Sequence, residues 1–89
     1  MTRTRKLRSL NLPQPISAEA DEEGRPANVF SSRRKLTVIA HNETWLIEDE
    51  WWRAHPIARR YWRVTLEDGR AMDIFHDLAG GGWFRQSYG

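Results

Sequence analysis

Residues 60–77 read Arg60-Tyr-Trp-Arg-Val-Thr-Leu-Glu-Asp68-Gly69-Arg-Ala-Met-Asp-Ile-Phe-His76-Asp77. Trp62, Val64 and Leu66 alternate with Tyr61, Arg63, Thr65 and Glu67. This period of two belongs to a strand with one apolar face, not to a helix. Asp68-Gly69 then supplies a strong hairpin signal, read here as a turn in which both residues take positive φ. The return strand sets Ala71, Asp73, Phe75 and Asp77 on one face and Met72, Ile74 and His76 on the other. A β-hairpin over 60–77 therefore decides the fold class, and the flanking sequence is read against it.

Upstream, Ile16, Ala18 and Ala20 alternate with Ser17 and Glu19. Asp21-Glu-Glu-Gly24 follows and fits a type I turn whose glycine takes the left-handed position. Arg25 to Phe30 returns as a second strand, and Pro26 at its start marks an edge, since proline has no N–H for a ladder. Ser31 to Arg34 reads as a polar loop. Lys35 to His41 is partly apolar on both faces and suits a central strand. His41-Asn42-Glu43 predicts a turn or bulge, Thr44 to Ile47 a short extended piece, and Glu48 to Ala58 an irregular segment, because Pro56 stops any helix. Downstream, Leu78 to Gly82 holds three successive glycines and reads as a loop. Trp83 to Tyr88 is a last strand.

These readings predict an all-β chain of about six short strands. The expected architecture is a small, strongly bent antiparallel sheet or a half-open barrel over residues 13–89. Residues 1–12 carry Arg3, Arg5, Lys6 and Arg8 and read as a flexible basic arm. The Leu7–Ile16 stretch is broken by polar residues and prolines, so it does not form the apolar region of a signal peptide.

Composition narrows the function classes. The chain has 89 residues, no cysteine and five tryptophans, all between Trp45 and Trp83. Without cysteine there are neither disulfides nor thiolate zinc sites, and a cytoplasmic setting is expected. At 10.5 kDa the chain encloses one core at most. The +2 net charge hides blocks: +4 over 1–10, −3 over 11–32, +3 over Arg33-Arg34-Lys35, −4 over 36–50, +4 over 51–63 and −2 over 64–89. Such local clusters steer partners more than net charge does, because exposed charges are screened beyond about 10 Å.

No GxGxxG, GxxxxGK[ST], HExxH or GxSxG motif occurs. His41, His55 and His76 are too far apart in sequence to define a metal site. No nucleophile–base pair is evident, and no catalytic residue, metal or cofactor is expected. The stretch that carries chemistry is Trp45 to Arg63, where aromatics interleave with arginines. Such a pattern serves a protein-binding hot spot, a platform that stacks single-stranded bases and holds phosphates, or simply core and cation–π packing. The residues assigned to protein binding are Trp51, Trp52, Arg53, Arg59 and Tyr61. Those assigned to nucleic acid are Arg3, Arg5, Lys6, Arg8, Arg33, Arg34, Lys35, Arg60 and Arg63. Trp62, Trp45 and Trp83 are assigned to the core.

The same residues carry a family resemblance. Ile47-Glu-Asp-Glu-Trp51-Trp52-Arg53, Pro56-Ile57-x-Arg59-x-Tyr61, Val64-x-Leu66-x-Asp68-Gly69-Arg70, Phe75-His76-Asp77-Leu78, Trp83-Phe84 and Tyr88 resemble the small C-terminal domain of ImuB-type proteins. The Leu12-Pro-x-Pro-Ile16 opening and the Asp21-x-x-Gly24-x-Pro26 turn resemble short stand-alone versions of that domain, so the likeness spans residues 12–88. ImuB-type proteins are catalytically degenerate relatives of Y-family DNA polymerases that act in damage-induced mutagenesis. The resemblance implies a non-catalytic accessory in a translesion-synthesis assembly, with a protein partner in the polymerase complex. Single-stranded nucleic acid is the alternative ligand; neither a membrane nor a small-molecule substrate is expected. No polymerase palm or acidic metal-binding triad is present, and no clamp-binding peptide of the Gln-x-x-Leu-x-Phe kind, so polymerase activity does not carry over.

Overall fold

A computed structural model describes residues 13–49 and 57–86. Within them run six strands: β1 (Gln14–Ala20), β2 (Pro26–Ser31), β3 (Arg34–Asp49), β4 (Ile57–Leu66), β5 (Ala71–Asp77) and β6 (Trp83–Gln86). Each pairs antiparallel with the next. β1 then pairs with β6 through Gln14↔Arg85, Pro15↔Phe84 and Ile16↔Trp83, which closes the sheet into a barrel. The seam is short, but it leaves neither terminal strand as an open edge. No helix among the described residues is long and apolar enough to cross a membrane. The basic arm assigned to residues 1–12 lies outside the described residues.

The interior is filled by the alternation seen in the sequence. Val29, Leu36, Val38, Trp62, Val64, Leu66, Met72 and Ile74 form the core, with Ile16, Ala18 and Trp83 packed against it. Trp62 and Trp83 meet inside, with ring centroids 5.4 Å apart.

The turns are chosen by local chemistry. At Asp21–Arg25 the Gly24 N–H donates to the Asp21 carbonyl and the Asp21 N–H to the Arg25 carbonyl, with Gly24 at φ 84°. That is the expected type I turn with a left-handed glycine. The Asp68-Gly69 turn repeats this design instead of having two positive-φ residues. Gly69 N–H donates to Leu66, Leu66 N–H donates to Arg70, and only Gly69 has positive φ. The three-residue loop wins because Asp68 caps the Arg70 N–H at 3.1 Å and its guanidinium at 2.8 Å.

Positive φ at two successive residues occurs instead at Ser32 (49°) and Arg33 (68°), joining Ser31 and Arg34 in a tight two-residue turn. This turn geometry favours Asn-Gly, and neither Ser nor Arg adopts it readily. The Ser32→Asn, Arg33→Gly double variant is expected to gain about 1 kcal/mol of stability. Urea unfolding checks this as a raised midpoint at constant slope.

Three strand boundaries differ from the sequence reading. β3 is one 16-residue strand, and the irregularity around His41–Glu43 is a pair of register shifts between Val38/Ala40 and His41/Glu43. The partner strand β4 supplies ten consecutive residues for β3 to pair with, so the bulges bend it without ending it. Glu48 and Asp49 extend β3, and Ile57 and Ala58 begin β4. Finally, β2 is not an edge. Pro26 starts a strand paired on both sides, and its carbonyl accepts a 2.7 Å hydrogen bond from the His41 ring.

Candidate interaction surface

On β3 to β6 the face opposite the core carries its own organisation. Register places Trp45 beside Tyr61, Tyr61 beside Phe75, Phe75 beside Phe84, and Phe84 beside Pro15 of β1. The result is an aromatic row crossing the outside of the barrel. Trp45 and Tyr61 stack at 5.2 Å with 5° between planes. Tyr61 lies 4.8 Å from Phe75, and Phe75 stacks on Phe84 at 5.1 Å. Phe75 is only 1% exposed and Tyr61 only 6%. The outer face of a small barrel is ordinarily wet, so this is a second apolar layer. Trp45 belongs to it and not to the interior where the sequence reading put it. The reason is β3 register: Trp45 stands opposite Tyr61, on the face away from Trp62.

A polar row runs alongside. Gln86 faces Asp73, Asp73 faces Arg63, and Arg63 faces Glu43. Asp73 is 8% exposed. The Arg63 guanidinium grips its carboxylate through two bonds, Nε–Oδ1 at 2.8 Å and Nη2–Oδ2 at 3.0 Å, and reaches Glu43 at 3.3 Å. It also lies over Trp45, 5.7 Å from the ring centroid. On the other side of the aromatic row, register sets Asp77, Arg59 and Ile47 in line. The Arg59 guanidinium caps Phe75 at 4.6 Å and donates to the Tyr61 hydroxyl at 3.4 Å.

The residues assigned to protein binding are thus partly united. Arg59 and Tyr61 share one face, with Tyr61 buried beneath its neighbours and Arg59 half-buried over the row. Trp51, Trp52 and Arg53 lie outside the described residues. Beside them in sequence, Leu46 (41%) and Ile47 (40%) are exposed, as is Ile57. Exposed aliphatics gathered at one end of a hairpin suit contact with another apolar surface.

Among the described residues the assigned cations do not form one groove. Arg33, Arg34 and Lys35 sit at the β2–β3 turn, at the opposite end of β3 from Ile47. Lys35 is paired with Glu19 at 3.1 Å and Arg63 with Asp73 and Glu43. Arg60 stands opposite His76 and Leu46, on the other face of β4 from Arg59 and Arg63. His76 itself stacks on Trp83 at 4.6 Å and 8°. Arg3, Arg5, Lys6 and Arg8 lie outside the described residues. No cluster of three metal-ligating side chains occurs among the described residues.

Sequence reasoning missed Asp73, Glu43, Phe75 and Phe84 as parts of one surface. The available signal was only within strands, such as the shared parity of Asp73 and Phe75 on β5; register across strands unites the rest.

Two exposed turns carry acid groups held below the usual aspartate value near 3.8. For Asp21, loss of hydration works against ionisation, but the Arg25 N–H, the Arg25 guanidinium and the Glu23 N–H outweigh it. For Asp68 the Arg70 N–H contributes most and loss of hydration opposes it. The Arg70 and Arg34 charges add to the lowering. A lowered folded-state pKa stabilises the fold above the unfolded value and loses that contribution as pH falls through the folded one. Stability is therefore expected to hold from neutrality to about pH 5 and to decline as pH passes 3.8 and below. Thermal unfolding of the Asp21→Asn, Asp68→Asn double variant should show a shallower acid decline than the parent.

No family model, curated protein or solved structure matches the chain.

Proposed function

We propose that this chain is a non-catalytic protein-interaction module of a translesion-synthesis assembly. The observation that carries this reading is the end of the β3–β4 hairpin. There Ile47 and Ile57 are exposed on the same face as Arg59. Trp51-Trp52-Arg53 lies in the connection between these two strands. Exposed aliphatics beside Arg59, joined in sequence by a Trp-Trp-Arg segment, suit a protein hot spot. The translesion context comes from the resemblance to the ImuB-type domain, whose most specific element is that Trp-Trp-Arg.

Single-stranded nucleic acid is the weaker reading. Phosphate binding draws on unpaired cations along one track. Among the described residues Lys35 and Arg63 already hold carboxylates, and Arg33 and Arg34 at the β2–β3 turn lie away from Arg60 on β4.

Affinity purification of the tagged chain after DNA damage tests the proposal. Capture of an error-prone polymerase or its accessory factors is expected, with at least a tenfold loss in a folded Trp52→Ala, Arg53→Ala double variant. Unchanged capture by that variant would count against the module. Quenching of tryptophan fluorescence by single-stranded DNA at low salt, abolished by added salt, would favour the nucleic-acid reading instead.

A further inference from the structure

β3 is far longer than β2. β2 pairs with it only through Asn28↔Thr37, Val29↔Leu36, Phe30↔Lys35 and Ser31↔Arg34. Beyond the two bulges β3 pairs with β4 alone, and among the described residues no strand lies along its other side. In an antiparallel ladder every second residue directs its N–H and C=O away from the partner strand. Residues 43–49 therefore offer an open backbone edge of about 24 Å, at roughly 3.4 Å per residue. Such an edge is a template for an added strand.

All three outer rows end on this edge. The polar row runs Gln86, Asp73, Arg63 and stops at Glu43. The aromatic row runs Pro15, Phe84, Phe75, Tyr61 and stops at Trp45. The third row runs Asp77, Arg59 and stops at Ile47. Side chains directly opposite on adjacent strands contribute most when charge is complementary or aromatics meet. Glu43 shares the Arg63 guanidinium with Asp73 and is itself half exposed, so the next position after it favours a second cation; after Trp45 it favours an aromatic ring, and after Ile47 an aliphatic group.

We infer that the free edge of β3 captures an extended segment of a partner protein, running antiparallel, with the pattern aliphatic-x-aromatic-x-basic. This deepens the interaction-module reading and rests on it for the partner's identity. A second copy of this chain fits less well. Pairing two β3 edges with Trp45 opposite Trp45 sets each Glu43 against the other copy's Ile47, so neither carboxylate gains a cation beyond its own Arg63.

The probe is the synthetic peptide acetyl-Ser-Ile-Thr-Phe-Thr-Arg-Ser-amide, with a control in which Arg is replaced by Glu. Amide exchange on residues 43–48, followed by NMR on the full chain, reads the edge directly. At peptide tenfold above its Kd, the outward amides are expected to slow about tenfold, and the Glu peptide should bind at least tenfold more weakly. The Glu43→Lys variant should reverse that preference; if it fails to fold, the two peptides on the parent chain decide alone. Unprotected edge amides, or equal binding of both peptides, would overturn the inference. So would protection that rises with protein concentration without peptide, since a second copy would then be the occupant. Partner capture with no edge protection would leave the module standing and remove the strand-capture idea. Peptide binding without capture of a translesion partner would do the reverse.

Discussion

Phe75→Ala is expected to remove about 3–5 kcal/mol of stability, the range for deleting a buried aromatic side chain. A domain of this length has about 5–10 kcal/mol in total, so the variant should sit near the edge of unfolding. Phe75 touches Tyr61 on one side and Phe84 on the other, with Arg59 across its face. All of these lie outside the barrel interior. The loss therefore measures the outer layer, not the core. With a urea slope of about 1–1.5 kcal/mol/M, the midpoint should fall by about 2–5 M. Phe75→Leu fills most of the volume and should lose no more than about 1.5 kcal/mol. A midpoint shift under 0.5 M for Phe75→Ala, by the same rough conversion, would mean that the aromatic row is ornament on a self-sufficient barrel.

The second large effect is expected at Arg63. Its guanidinium is half exposed, whereas the Asp73 carboxylate it holds is almost fully covered. Arg63→Ala leaves that carboxylate in the sheet without its bidentate partner, and removal of one member of a buried pair costs about 3–5 kcal/mol. Here solvent reaches the arginine side of the pair, so about 2 kcal/mol is expected. Thermal unfolding should register this as a drop of about 10 °C. The Arg63→Ala, Asp73→Ala double variant should lose less than the sum of the singles, by about 1–2 kcal/mol. Strict additivity would show that the pair is uncoupled. Because Asp73 is buried, the coupling should persist at high salt, unlike that of the exposed Lys35–Glu19 pair.

Both results bear on the interaction surface, because Phe75 and Asp73 support the two residues that face outward from it. Arg59 is set by stacking on Phe75, and Glu43 by its bond to Arg63. Loss of either support should loosen the surface as well as the fold. Partner-capture variants are therefore best made at exposed positions such as Leu46 or Ile47, where stability is not at stake.

Much of this fold was legible from residue order. Alternation along 16–20, 60–66 and 71–77 located strands and named the apolar partners that now fill the barrel. Gly24 was readable as a left-handed turn residue because the acidic run before it leaves few alternatives. Asp68-Gly69 was readable as a turn but not as which turn, since two and three-residue loops use the same pair and the capping of Arg70 decides between them. Ser32-Arg33 carried no signal of its conformation at all; the short span between paired Ser31 and Arg34 imposes it.

By itself the sequence determined the strand class, the approximate strand positions and, outside the bulged β3, which side chains share a face, because parity along a regular extended strand is a local property. Only the tertiary structure decided which rows meet across strands. Trp45, Tyr61, Phe75 and Phe84 are far apart in sequence, and nothing in their spacing says that one register aligns them. The same holds for closure through Gln14–Ile16 and for the run of β3 past the end of β2. Register and closure depend on how bulges, turns and packing balance over the whole sheet. Among the described residues they turned Trp62 and Trp83 into an inner pair and Trp45 into an outer ring at a strand edge.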